Sequence, residues 1–319
     1  MSRCGVLRGA TRMTLLARRD FLKCLLAAAA APHLGAMAVR GRAKGANAMS
    51  DHPTHTSSAD QRTPVVFVGH GSPMNAIEDN VWSRRFRDLA RELSRPKAIL
   101  AISAHWYVTG TFTTSNERPE TIHDFGGFPD ELYRVQYPAP GDPALARRAS
   151  ALLGDRGASL RDDWGLDHGT WSVLVHMRPA ADVPVVQLSI DGRLPAAEHL
   201  AIGRALAPLR DEGVLILGSG NVVHNLRHAF AAHGRGETAP PEWARAFDAR
   251  VATALERHDG DALVRLLETE EGRMAAPTPD HYLPLLYVAG ASSPADRVHF
   301  PIEGFDWGSL SMRAAVLGP

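Results

Sequence analysis

The stretch VVFVGHGSP, Val65 to Pro73, decides how the rest of the chain is read. An apolar run rich in β-branched and aromatic residues breaks into a histidine held between two glycines, and then a proline. Such a run suits a strand covered on both faces, and Gly69, Gly71 and Pro73 cannot continue it. The strand therefore ends by presenting His70 at the rim of a sheet. In open α/β sheets ligands bind just outside the carboxyl ends of strands, so His70 stands where chemistry is expected. The pattern recurs twice: ILAISAHW ends on His105, and VLILGSGNVVHN ends on Asn221 to His224.

Outward from His70, Met74 to Leu93 has the charge and apolar spacing of an amphipathic helix, which Ser94-Arg95-Pro96 stops before a strand at Ala98 to Ser103. This β-α-β unit places His70 and His105 at one edge of adjacent or near-adjacent parallel strands. Thr121 to Pro129 reads as a Gly/Pro-punctuated, substrate-facing loop carrying His123. Asp163 to Trp171 is a second loop, with His168 beside Asp167, leading into a helix at Val173 to Met177. Ala144 to Leu153 and Leu194 to Arg210 read as helices, Val183 to Ile190 and Gly213 to Gly218 as strands. Trp243 to Leu267 has helical spacing, and His281 opens an apolar helix. The alternation predicts a single α/β domain: a mostly parallel or mixed central sheet flanked by helices, a metal site at the strand ends, and residues from Phe305 to Val316 closing the sheet or an edge.

Among 319 residues, 35 basic side chains balance 35 acidic ones and 45% are hydrophobic. Neutral charge with no clustered basic face argues against a nucleic-acid partner, and no run approaches the roughly 18 apolar residues of a membrane span. Both cysteines, Cys4 and Cys24, fall near the start of the chain. The folded part then has no disulfide and no thiolate, so any metal is held by imidazole or carboxylate.

Residues 1–48 read as a targeting segment. Arg18-Arg19-Asp20-Phe21-Leu22-Lys23 resembles a twin-arginine export signal, followed by an apolar region from Leu25 to Ala31 and small-residue cleavage sites near Ala38 or Ala48. That predicts recognition by the twin-arginine machinery and a periplasmic location. A start at Met49 or Met13 is the alternative, and Met49 would leave the protein in the cytoplasm. Residues 49–63 read as a flexible lead-in, and 64–319 as the catalytic domain.

Six histidines, His70, His105, His123, His168, His224 and His281, sit beside Gly, Pro, Asp or Asn at the end of an apolar run or inside a punctuated loop. Together they point to a thiol-free imidazole site, suited to Fe(II), Zn or Mn, with rings also able to move protons near neutral pH. Asp124 and Asp167 are placed to orient rings from behind. The remaining histidines of the folded part, such as His176, His199 and His228, stand in helix or surface-like contexts that suit structural hydrogen bonds.

GHGSPMNAIEDN, SAHW, TIHDFGGFP, YPAPG, WGLDHGTW, SGNVVHNLR and PTPDHYLPLLYV, in this order, resemble the class III extradiol ring-cleavage dioxygenases of the LigB superfamily, with the 4,5-DOPA branch the nearest in pattern. The resemblance runs from about residue 64 to 315. It implies metal ligands at His70, His105 and His224, with His281 a fourth ligand or near-metal residue. It also implies an acid/base role for His168, with His123 a second candidate. One mononuclear site is implied, holding Fe(II) or Zn(2+), because the third ligand position, a glutamate in the best-known members, is here a histidine. The partners implied are a catecholic small molecule and O2, with a muconic semialdehyde of the 4,5-seco-DOPA type as product. Asn221 and Arg134 are the candidates for holding the substrate's amino-acid tail. An oligomer is compatible with the sequence, which locates no interface.

Two other functions fit the same residues. A zinc-dependent hydrolase would also use histidines at strand ends to activate water. A non-catalytic metal-binding or interaction protein of the Memo-like type would share the fold, although metal holding alone does not require both His123 and His168.

Overall fold

The structure, a computed structural model, describes residues 62–319. The expected export segment at 1–48, nearly all of the lead-in, and Cys4 and Cys24 lie outside the described residues. Residues 62–124 and 130–319 form one unit built around one large sheet. Within 125–129, the Phe125 and Phe128 rings meet edge to face at 5.3 Å.

Among the described residues there are ten strands: β1 (Val65–Gly69), β2 (Ala98–Val108), β3 (Phe112–Thr114), β4 (Ser159–Arg161), β5 (Val185–Asp191), β6 (Val214–Gly220), β7 (Arg297–Ile302), β8 (Phe305–Asp306), β9 (Leu310–Ser311) and β10 (Ala314–Gly318). Eight make one mixed sheet in the order β4-β3-β5-β2-β6-β1-β10-β7, and β8 pairs with β9 in a separate hairpin. The centre, β5-β2-β6-β1, is all parallel. Around it, β10 joins β1 and β3 joins β5 antiparallel. The domain is thus α/β with a large mixed sheet flanked by helices, as the alternation of elements predicts.

The parallel strands are apolar throughout because both faces are covered. Val65, Phe67, Leu100, Ile102, Val186, Leu188 and Ile216 belong to a core shared with the helices Pro143–Leu153, Ala196–Leu206 and Leu283–Ala291. The alternate residues, among them Val66, Val68, Ile99, Ala101 and Leu217, are equally buried. On the other face the helices Val81–Glu92 and His168–Met177 pack together, the latter against β2.

Several predicted boundaries move, each for a local reason. The helix expected over Met74 to Leu93 is two elements, a 3-10 turn at Pro73–Ala76 and a helix starting at Val81. Asn80 caps that second helix, its side chain accepting from the backbone of Trp82 and Ser83 while the Ser83 hydroxyl accepts from the Asn80 backbone. The helical span over Trp243 to Leu267 likewise divides into Glu242–Glu256 and Gly260–Glu268, with His258 at a positive φ of 53° between them. The C-terminal segment does more than close an edge: β10 lies inside the sheet, and β7 is the outer strand. The strand after β1 in sequence, β2, is one place removed in space, with β6 between them, so His70 and His105 are near-adjacent and share an edge.

Candidate metal and catalytic site

At the carboxyl ends of β1, β2 and β6 the chain brings five of the six histidines together. Their ring centroids lie 5.1 Å apart for His70 and His105, 5.2 Å for His70 and His281, and 3.7 Å for His105 and His168. His70 follows β1, where its backbone N–H donates to Gly220 of β6 at 3.0 Å. His105 lies inside β2, on a register break between Ile102 and Tyr107 in the pairing with β5. A bulge of this kind re-aims a side chain next to a site. His281 closes the 3-10 turn Pro279–His281, and that turn is seated on β6: a Cβ at Gly220 would stand 2.1 Å from the His281 carbonyl oxygen, so only glycine fits there.

The partners of each ring fix which nitrogen faces inward. The Ser219 hydroxyl donates to the Gly169 carbonyl, so it can only accept from His70 Nδ1, 2.9 Å away. His70 Nδ1 therefore carries the proton and Nε2 the lone pair. His105 Nδ1 lies 3.3 Å from Asp124 Oδ2, and His281 Nδ1 lies 2.6 Å from Asp280 Oδ2. Each of these rings thus offers Nε2. The Nε2 atoms of His70 and His105 meet at 3.2 Å. Two imidazoles on one tetrahedral ion, at Zn–N of about 2.0–2.1 Å, would stand roughly 3.3 Å apart. One ligand atom from each of His70, His105 and His281 falls within 4.8 Å of the others. Three lone pairs converging, each backed by an acceptor on the opposite nitrogen, is the donor set of an imidazole metal site, and the residues fit such an ion.

The electrostatics agree. Burial, with the neighbouring imidazoles adding to it, holds His70 and His105 well below the ordinary histidine range, so both rings are neutral and free to act as donors. Burial and His281 do the same for His224. Burial alone would raise Asp124 and Asp280, but the histidines they face outweigh it and hold both carboxyls well below the usual carboxylate range.

His224, expected as a ligand, lies face to face on His281, 3.5 Å between centroids and 4° between planes. Its backbone donates to the Ala275 carbonyl and pairs with Leu310 of β9. His168, the expected acid/base residue, is buried at the first position of its helix, with Nδ1 2.9 Å from Asp124 Oδ1. Gly169 behind it has no room for a Cβ, which would stand 2.8 Å from His105 Cδ2. His123, the second acid/base candidate, is aimed elsewhere: its Nε2 donates to the Val135 carbonyl at 3.0 Å and its ring packs on Trp171 at 5.4 Å. Of the two residues expected to hold the substrate's tail, Arg134 is exposed beyond the helix Asp130–Tyr133. Asn221 is fully buried with Nδ2 donating to the Ser311 carbonyl at 2.8 Å, so it braces the β8-β9 hairpin.

The sequence reading missed Ser219 and Asp280. The signal for Asp280 was present, since it directly precedes His281; Ser219 carried none beyond lying at a strand end. Asp124 orients His105 and His168 rather than its neighbour His123. Asp167 caps the helix and binds Gln187, while burial, with the Asp124 charge adding to it, pushes its carboxyl up to about 7. Outside this cluster, His176 donates to the Asn75 carbonyl and His199 pairs with the Tyr287 hydroxyl, both structural uses.

Comparison with known proteins decides the family. The model described as "Catalytic LigB subunit of aromatic ring-opening dioxygenase" matches residues 64–316. The chain belongs to the LigB family. Among its LigB relatives, a protein of Escherichia coli K12 named "4,5-DOPA dioxygenase extradiol" is 49% identical, over 81% of this chain and 95% of its own length. A protein of the same name from Beta vulgaris is 40% identical, over 77% of this chain and 94% of its own. The crystal structure of an uncharacterized Escherichia coli K12 protein superposes with a TM-score of 0.71 at 45% identity, covering 81% of this chain and all of that one. This membership supports an oxygenase of the extradiol type acting on a small molecule with O2. No helix among the described residues is long and apolar enough to cross a membrane.

Proposed function

We propose that this LigB protein opens catechol rings of the DOPA type with O2, using one Fe(II) or Zn(II) ion held by His70, His105 and His281 with His224 beside them. The observation that carries the reading is the meeting of His70 Nε2 and His105 Nε2 at 3.2 Å, each ring turned by an acceptor on its Nδ1. An ion bound there supplies Lewis acidity for two vicinal catechol oxygens and, as Fe(II), the electrons that activate O2.

The chain's own residues handle the protons. With Nδ1 beside the ionised Asp124, His168 keeps its Nε2 lone pair for the substrate and takes a proton from a catechol hydroxyl. The resulting imidazolium is stabilised by the same carboxylate and later returns the proton to the ring-derived oxygen. Both atoms of O2 enter the product, a muconic semialdehyde of the 4,5-seco-DOPA type for a DOPA substrate, so no outside reductant is consumed. The twin-arginine-like segment at 1–48 supports export of a folded, metal-loaded chain to the periplasm.

Oxygen uptake tests this reading. Metal-free protein reconstituted anaerobically with Fe(II) or with Zn(II) is mixed with L-DOPA and simple catechols, and a yellow product is followed. Uptake is expected to fall by about 10²–10⁴-fold in His168→Ala while the ion stays bound. Absence of uptake with every catechol at full metal occupancy would overturn it and favour a hydrolytic or binding role.

A further inference from the structure

One carboxylate serves two rings with different duties. Asp124 Oδ1 accepts from the backbone N–H of His168 at 2.9 Å and lies 2.9 Å from that residue's Nδ1. Its other oxygen, Oδ2, lies 3.3 Å from Nδ1 of His105. The side chain retains 17% of its surface. The two rings it holds are packed 3.7 Å apart, His105 on a bulged strand and His168 at the start of the helix packed against that strand.

We propose that Asp124 is a shared positioning residue, which sets the tautomer of His105 for metal holding and of His168 for proton transfer, and so keeps the two in register. This rests on the roles given to His105 and His168 above. A carboxylate can do this because it is acceptor-only at both oxygens. The rings must then both place their protons on Nδ1 and both direct Nε2 away from Asp124.

The geometry makes Asp124→Asn an asymmetric probe. The backbone N–H of His168 always donates, so the amide oxygen must occupy the Oδ1 position. The amide NH2 then faces His105 Nδ1. His105 can meet a donor only by moving its proton to Nε2, where it blocks the lone pair that a metal needs. His168 keeps its partner and its tautomer. In the Zn(II)-loaded protein, where the ion separates the His70 and His105 Nε2 atoms that meet at 3.2 Å, nitrogen-15 NMR of the histidine side chains is expected to find both His105 and His168 as Nδ1–H in the wild type. In metal-free Asp124→Asn, His168 should still be Nδ1–H and His105 Nε2–H. Metal affinity, read by chelator competition, should drop about 10–100-fold in the same variant. Asp124→Ala should free both rings, adding a loss of kcat at saturating metal that Asp124→Asn largely escapes.

A Zn(II)-loaded wild-type spectrum with either ring protonated on Nε2 overturns the proposal, whether or not the variants fold. So does an Asp124→Asn protein with metal affinity within twofold of wild type, which is what a purely structural carboxylate would give. Because the tautomers are read without substrate or turnover, the result stands apart from whether the protein opens catechols.

Discussion

At the scale of single residues, the site is built from acceptors that stand behind histidines. Ser219 is the simplest case, since its one hydroxyl proton goes to the Gly169 carbonyl and leaves His70 Nδ1 as the donor. Ser219→Ala removes only that acceptor from a fully buried position. The expected outcome is a metal affinity weakened by about 10-fold, the low end for loss of a partner behind a ligand, with the fold intact by circular dichroism. Ser219→Thr, which restores the hydroxyl, should recover most of it. An alanine variant with unchanged affinity would mean that packing alone orients the His70 ring.

At the scale of elements, the parallel strands were legible and the devices that aim their side chains were not. Val65 to Val68 and Val214 to Leu217 announce themselves by continuous apolar, β-branched composition, and glycine marks where each stops. His70 and His105 could be placed from that pattern because topology carries strand ends to one edge. The bulge in β2 leaves no such mark, since it depends on pairing between β2 and β5, far apart in sequence. The seat of His281 on Gly220 is likewise a contact between backbones, which no local composition encodes. The strands β3 and β4, with three residues each, and the half-exposed β7 are too short or too polar to show a period. The helix predicted as continuous from Met74 failed at a capping box, where Asn80 and Ser83 offered the backbone a better partner than another helical turn. Asp124 shows the same limit: adjacency in sequence pointed to His123, whereas the fold hands its carboxylate to His105 and His168.

At the scale of the whole molecule, the buried histidines tie stability to pH. Burial lowers His199 to about 4 and holds His70, His105 and His224 well below the ordinary value of 6.5. In the unfolded chain each would titrate near 6.5. Below that pH the unfolded state binds protons that the folded state refuses, so stability is full above about pH 6.5 and falls as pH drops toward the folded values. For the metal-free protein, urea unfolding should show stability declining steadily from pH 7 to pH 5. His199→Asn, which keeps a partner for the Tyr287 hydroxyl, should remove a share of that slope amounting to about 3 kcal/mol at most. A stability that is flat or rises on acidification would contradict the placement of these rings as buried and neutral.

The central claim is that neutral imidazoles at the strand ends hold one metal ion. X-ray absorption on protein loaded with Fe(II) or Zn(II), with elemental analysis on the same sample, tests it most directly. One ion per chain is expected, in a shell of nitrogen and oxygen at about 2.0–2.2 Å with imidazole scattering and no sulfur, lost in His70→Ala and His105→Ala. A chain that retains no stoichiometric ion, or keeps it unchanged in both variants, would contradict the account.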